Sequence, residues 1–225
     1  MAQVISTVSD ALSYINTLYE LDSTAPVSGE EDFTVWLGLL NTAVNIWENE
    51  EGILWKDLFT KLSDAATGDS TTVAGDTSYD LPDDFRFPAS AYVWIGTGTN
   101  KIPYAVIDIK NLQLYENNSD KWCYFTGTTL EFNPNIASNI ATGDTINYNY
   151  YKYATALTTG TDTFEMSDPM FAVYFALAEL KKEEGDTQAA AIATQKLEGM
   201  KTKNSMPLWL QTESPDVNFV TGFGV

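Results

Sequence analysis

Two groups of carboxylates lie close enough in the chain to act together. Asp83 and Asp84 are adjacent, and Glu48, Glu50 and Glu51 cluster within one short stretch. Paired acids can hold a divalent cation or divide acid and base roles in glycoside cleavage. Asn117-Asn118-Ser119-Asp120 partly matches an Asp/Asn-rich calcium loop, and its first three residues form a glycosylation sequon. The chain carries 31 Asp and Glu against 12 Lys and Arg, so acidic neighbours arise by chance and solvated carboxylates are the simpler reading. There is no histidine, which removes His-based triads, His-ligated zinc and haem, and the commonest acid–base side chain. A metal-dependent hydrolase would need an all-carboxylate site suited to magnesium or calcium. No phosphate-cradling Gly-rich loop, G-x-G-x-x-G, G-x-S-x-G or C-x-x-C occurs. The expectation is no enzyme, no cofactor and no metal.

Aromatic residues are more informative. Tyr148, Tyr150, Tyr151 and Tyr153, with Trp94, Trp122 and Tyr124, could stack on sugars as a carbohydrate-binding module. The same residues suit a sheet's core and cross-strand pairs, which is the favoured reading. Cys123 is the single cysteine, so no intrachain disulfide forms, and Trp122-Cys123-Tyr124-Phe125 places it in a buried strand. Near the C-terminus Trp209, Leu210, Phe219 and Phe223 are spread along a stretch without periodicity. Such a segment is expected to dock, on its own domain or on a neighbouring subunit.

The elements that must position these residues follow from periodicity. Helical spacing runs from Ser9 to Leu21, then from Ser28 or Gly29 through Trp47, and a further helix is expected from Ile53 to about Ala66. Thr67–Thr77 reads as a mobile Gly/Ser/Thr/Asp loop. From Ser78 the pattern alternates: strands at Tyr79–Phe85, Ala91–Ile95 and Ile102–Val106, a turn opening at Asp108, and a hairpin of Lys121–Phe125 with Thr129–Phe132. A second mobile loop, Asn133–Gly143, leads to a strand over Asp144–Tyr153. Ser167-Asp168-Pro169 opens an αα-hairpin that turns at Gly185, with Asp186 capping its second helix, and runs to Asn204. The fold class expected is α+β, in four parts: N-terminal helices (1–66), a small antiparallel β-domain (67–165), a C-terminal helical hairpin (166–204) and an extended tail (205–225).

A net charge of −19 should repel nucleic acid and anionic membrane. No apolar run approaches the ~20 residues of a membrane span. Met1-Ala2-Gln3-Val4 shows neither a basic nor an apolar leader region, so synthesis in a cytoplasm is expected.

The succession of parts carries a resemblance. Tyr79-Asp80-Leu81-Pro82-Asp83-Asp84-Phe85 is followed by Leu130-Glu131-Phe132-Asn133-Pro134 and then Gly143-Asp144-Thr145-Ile146, with Tyr150-Tyr151. Ala176-Leu177-Ala178-Glu179-Leu180 and Gly185-Asp186 come next. Nearly all of Asp76–Lys203 fits in order, and it resembles the head-to-tail adaptor (connector) proteins of tailed bacteriophages, short-tailed type. The resemblance implies an antiparallel helical bundle with the β-domain inserted between the N-terminal helices and the hairpin, and no active site. It implies a virion protein made in the host bacterial cytoplasm. There it would form a homo-oligomeric ring, typically dodecameric, at the head–tail junction. Its partners would be the portal protein and a tail or nozzle protein, with genomic DNA passing without sequence-specific binding and no membrane contact. Trp209, Leu210, Phe219 and Phe223 become portal- or subunit-docking residues under this reading. The alternatives are another virion ring or tail-tube protein, or the carbohydrate-binding module.

Overall fold

Gly29 has a left-handed backbone (φ 102°), and helix starts just beyond it, at Glu31. The computed structural model describes residues 5–19, 24–185 and 187–207. Among these, helices form at Val8–Leu18 (α1), Glu31–Glu48 (α2), Leu112–Tyr115 (α3, one turn), Met170–Leu180 (α4) and Gln188–Asn204 (α5). Strands form at Ile53–Trp55 (β1), Phe59–Lys61 (β2), Ser78–Asp80 (β3), Phe85–Pro88 (β4), Tyr92–Ile95 (β5) and Ile102–Val106 (β6). They continue at Trp122–Phe125 (β7), Thr129–Phe132 (β8), Ile146–Asn147 (β9), Asn149–Lys152 (β10) and Ser205–Pro207 (β11). The fold is mixed α+β. It divides at Leu58/Phe59 and at Tyr153/Ala154 into two compact units.

The first unit is made by the segments on either side of 59–153. Thr7 and Asp10 form a reciprocal capping box that starts α1: Asp10 N–H donates to the Thr7 hydroxyl and Thr7 N–H to the Asp10 carboxylate, at 3.2 and 3.0 Å. The carboxyl of Asp10 is held below its ordinary range by these bonds from Thr7 and by the Ser6 hydroxyl. α1 buries Val8, Ala11, Leu12 and Ile15, and α2 buries Phe33, Trp36, Leu40, Ala43, Val44 and Trp47. The expected end of the first helix at Leu21 lies outside the described residues. Glu31 and Asp32 occupy the first turn of α2, where negative charge suits the helix dipole. The Asp168 carboxylate accepts from Met170 N–H at the start of α4, which buries Phe171, Ala172, Val173, Ala176 and Leu177. α4 packs against α1, α2 and α5. Gly185 is left-handed (φ 74°), as a helix end requires; the cap expected from Asp186 lies outside the described residues.

The helix expected from Ile53 to about Ala66 does not form. Those residues become β1 and β2, with 3₁₀ turns at Lys56–Leu58 and Leu62–Asp64. β1 pairs antiparallel with β11, and β2 with β10. Backbone partners from distant parts of the chain override an apolar spacing that would serve either period.

The second unit holds one six-stranded sheet, order β3-β8-β7-β6-β5-β9, and one three-stranded sheet, order β2-β10-β4. Consecutive strands β9 and β10 lie in different sheets, with Tyr148 between them, so the single strand expected over Asp144–Tyr153 is split. Pairing is antiparallel except between β6 and β7, which run parallel. The segment between those two strands, which includes α3, returns the chain to its starting end, as a parallel connection must. Val93, Tyr104, Cys123, Leu130, Phe132, Ile146, Tyr148 and Tyr150 are central to the core.

The two loops expected to be mobile are pinned instead. Thr72 is buried, its hydroxyl donates to the carbonyls of Ala141 and Asp144, and its own N–H and C=O pair with Asp144 and Gly143. Ile146 N–H donates to Ser70 C=O, while Ile136 and Ile140 from the second loop enter the core. Each loop supplies the polar partners that the other's backbone needs.

Candidate interaction surfaces

The carboxylates singled out in the sequence serve the fold. Asp84 Oδ1 accepts from the buried Tyr150 hydroxyl at 2.8 Å, while Asp83 is exposed. Glu48 is buried, Glu51 is exposed, and Glu50 pairs with Lys201, which also meets Glu198 at 2.7 Å. Those bonds, first to Glu198 and then to Glu50, raise the Lys201 ammonium above its ordinary pKa. Asn118 Oδ1 accepts from Trp122 Nε1 and Asp120 N–H at 2.9 and 3.2 Å. Its carbonyl takes the side-chain amides of Asn133 and Asn135, so this loop knits the sheet edge together. Among the described residues no group of three or more Cys, Asp or Glu could hold a metal ion.

The sugar-stacking face does not assemble. Tyr148, Tyr150, Tyr151 and Trp122 are buried, whereas Trp94 and Tyr153 stay exposed. Phe85 joins Phe125, Tyr148 and Tyr150 in ring contacts at 5.2–6.4 Å, so most of these aromatics are core. Burial raises the phenols of Tyr148 and Tyr150 above the ordinary tyrosine range, and the Asp84 carboxylate adds to it at Tyr150. Cys123 is fully buried between strands, and its thiol is likewise raised by burial.

Two open clefts lie in the first unit. One of about 410 Å³ sits at the C-terminal end of α2, lined by Thr42, Asn45, Ile46, Asn49, Glu50 and Glu51. The other, about 390 Å³, lies between Asn16, Pro26 and Trp36 with Glu30, Glu31 and Asp32 at its rim. Among the described residues no helix is long and apolar enough to cross a membrane. Trp209, Leu210, Phe219 and Phe223, the docking residues expected from the sequence, lie outside the described residues.

Sequence periodicity missed one feature: the outer face of the three-stranded sheet. Register places Phe59, Tyr151 and Phe87 side by side across β2, β10 and β4. Phe59 meets Tyr151 edge-on at 5.9 Å, and the Arg86 guanidinium lies over the rings of Phe87 and Tyr153 at 5.2 and 5.6 Å. Tyr151 at the centre is buried, whereas Phe59, Phe87 and Tyr153 around it are 44%, 43% and 50% exposed, so three of these rings reach the surface. The signal was hidden because the row joins three segments far apart in the chain.

Structural side chains, open clefts and surface aromatics on an α+β frame describe a protein that works by contact. Residues 6–216 match the family model of the SU10 adaptor protein, and the chain belongs to that family. It is therefore a structural adaptor protein of a bacteriophage, a virion component from a family that is not one of enzymes. No curated protein matches the chain.

Proposed function

We propose that the protein forms a ring, dodecameric in the resembling adaptors, between the portal and the tail of a short-tailed phage. There it extends the DNA channel and offers a platform for a tail or nozzle protein. The observation that carries this reading is the family match over 6–216, which takes in both units. In the same reading the helices of 1–66 and the hairpin of 166–204 make one antiparallel bundle, with 67–165 as the inserted β-domain. The tail of 205–225 docks on the portal or a neighbouring subunit through Trp209, Leu210, Phe219 and Phe223. An acidic protein at −19 suits a channel wall along which duplex slides without sticking. It is made in the host bacterial cytoplasm and ends at the head–tail junction.

The test is native mass, alone and mixed with the portal ring of the same phage. A protein of 24.9 kDa per copy should shift wholly onto the portal, and Trp209→Ala with Phe223→Ala should abolish the shift while leaving the fold intact. A wild-type chain that ignores the portal sinks the proposal.

A further inference from the structure

The strands of the three-stranded sheet differ in charge from the acidic chain around them. Phe59–Lys61, Phe85–Pro88 and Asn149–Lys152 contain Lys61, Arg86 and Lys152 and no acid, in a chain of net charge −19. Arg86 is the only arginine in the sequence, and it is the residue held over the two exposed rings. Phe59, Phe87 and Tyr153 are exposed around the buried Tyr151, and grouped exposed aromatics beside cations mark a contact site, whereas scattered surface apolar residues do not. Lys61 and Pro88 sit on the two edge strands, β2 and β4, and both residue types discourage addition of another strand. The occupant therefore meets this face through side chains.

We infer that this face is the resting site of the chain's own C-terminal segment, 208–225. That segment carries Glu213 and Asp216 and no Lys or Arg, and it presents Trp209, Phe219 and Phe223. Its charge and its rings complement the cations and rings of the sheet. Fully extended it reaches roughly 60 Å, far enough to span a domain of this size. A tether of that kind gives an effective concentration on the order of a millimolar, which favours the tail of the same chain over that of another copy. The inference rests on the reading of the tail as a docking segment and not on ring assembly. In the assembled particle the same aromatics would leave the sheet for the portal, so the two contacts are alternatives.

The experiment places a photoreactive benzoylphenylalanine at Phe219 in the full-length protein and maps the crosslinks by mass spectrometry. Crosslinks within one chain to residues 85–88 and 150–153 are expected. Arg86→Glu with Phe87→Ser should lower their yield about tenfold, the loss expected when a cation–π contact is replaced by like-charge repulsion. Arg86→Lys should keep most of it, and each variant is checked for an unchanged thermal transition. Crosslinks elsewhere, crosslinks only between isotopically distinct copies, or a yield indifferent to both substitutions would overturn the inference. So would a gel shift of a single-stranded oligonucleotide by this face while the tail crosslinks elsewhere. Binding of the portal by the Arg86→Glu, Phe87→Ser protein is read separately. Its loss together with the wild-type shift would count against the adaptor ring, not against the resting site.

Discussion

Tyr150 is completely buried, yet its hydroxyl has a carboxylate, Asp84, as hydrogen-bond acceptor at 2.8 Å. Tyr79, Tyr104 and Tyr148 are buried beside it in the same core. Burial comes first among the causes that raise all four phenols above the ordinary tyrosine value. In the unfolded chain they ionise near pH ~10, so above that pH the unfolded chain releases protons that the folded chain keeps. Their contribution is complete below pH ~10 and is lost as pH climbs beyond it. Lys201, raised by its two carboxylates, acts in the same direction. Urea midpoints measured from neutral to strongly alkaline pH should stay level and then fall, and Tyr150→Phe should make the fall shallower. Midpoints that hold steady through the alkaline range would refute it. At the acid end Asp162 matters instead: its carboxylate accepts from the N–H and hydroxyl groups of both Thr158 and Thr159, which lower its pKa. That support is present above the unfolded carboxylate pKa and is lost as pH falls.

At the scale of elements, the end of α2 shows how distant partners shape the fold. Trp55 stacks on Trp47 at 5.4 Å, and its indole N–H donates to the Trp47 carbonyl, which also accepts the Glu50 N–H at the helix C-terminus. Both rings are buried, so β1 and α2 are fastened at one point. Trp55→Phe keeps the stacking and removes the donor. It should cost about 0.5–1.5 kcal/mol in a denaturant titration, the net worth of one hydrogen bond, because the carbonyl keeps the Glu50 N–H. A loss near zero would mean that the fastening contributes nothing. Asn41 binds both the N–H and the C=O of Leu157 at 2.8 Å, so α2 also holds the chain where it returns from the second unit. None of these bonds could be read from the sequence, whereas much around them could. The spacing of Leu12 and Ile15, of Trp36, Leu40 and Trp47, and the Asp168-Pro169 start gave three helices within a few residues. The alternation in Val93–Ile95, Cys123–Phe125 and Leu130–Phe132 marked three strands of the core. What failed was decided at long range. Ile53-Leu54-Trp55 is too short for local pattern to choose a period, and its partner lies at Ser205–Pro207. Thr67–Thr77 has a loop's composition, but Thr72 finds its acceptors beyond Asn139. The exposed aromatics of the sheet meet only after two such pairings are made.

Across the whole molecule, charge decides what assembly requires. Each copy carries −19, so bringing copies into the proposed ring sets like charge beside like charge. Uncharged surface is the natural place for such contacts. On α2 the run from Phe33 to Trp47 contains no charged residue, with Val35 and Ile46 51% and 40% exposed. Salt should then strengthen association, the reverse of what a nucleic-acid binder shows. Raising the ionic strength from ~0.1 M to ~1 M shortens the screening length from about 10 Å to about 3 Å and so removes most repulsion between neighbouring exposed charges. In sedimentation velocity at fixed protein concentration, the portal-bound or self-associated fraction should rise with sodium chloride over that range. Dissociation on adding salt would show that opposite charges hold the copies together. The contacts would then have to involve the few basic residues, and the cationic face around Lys61 and Arg86 would become the first candidate for the joint between subunits.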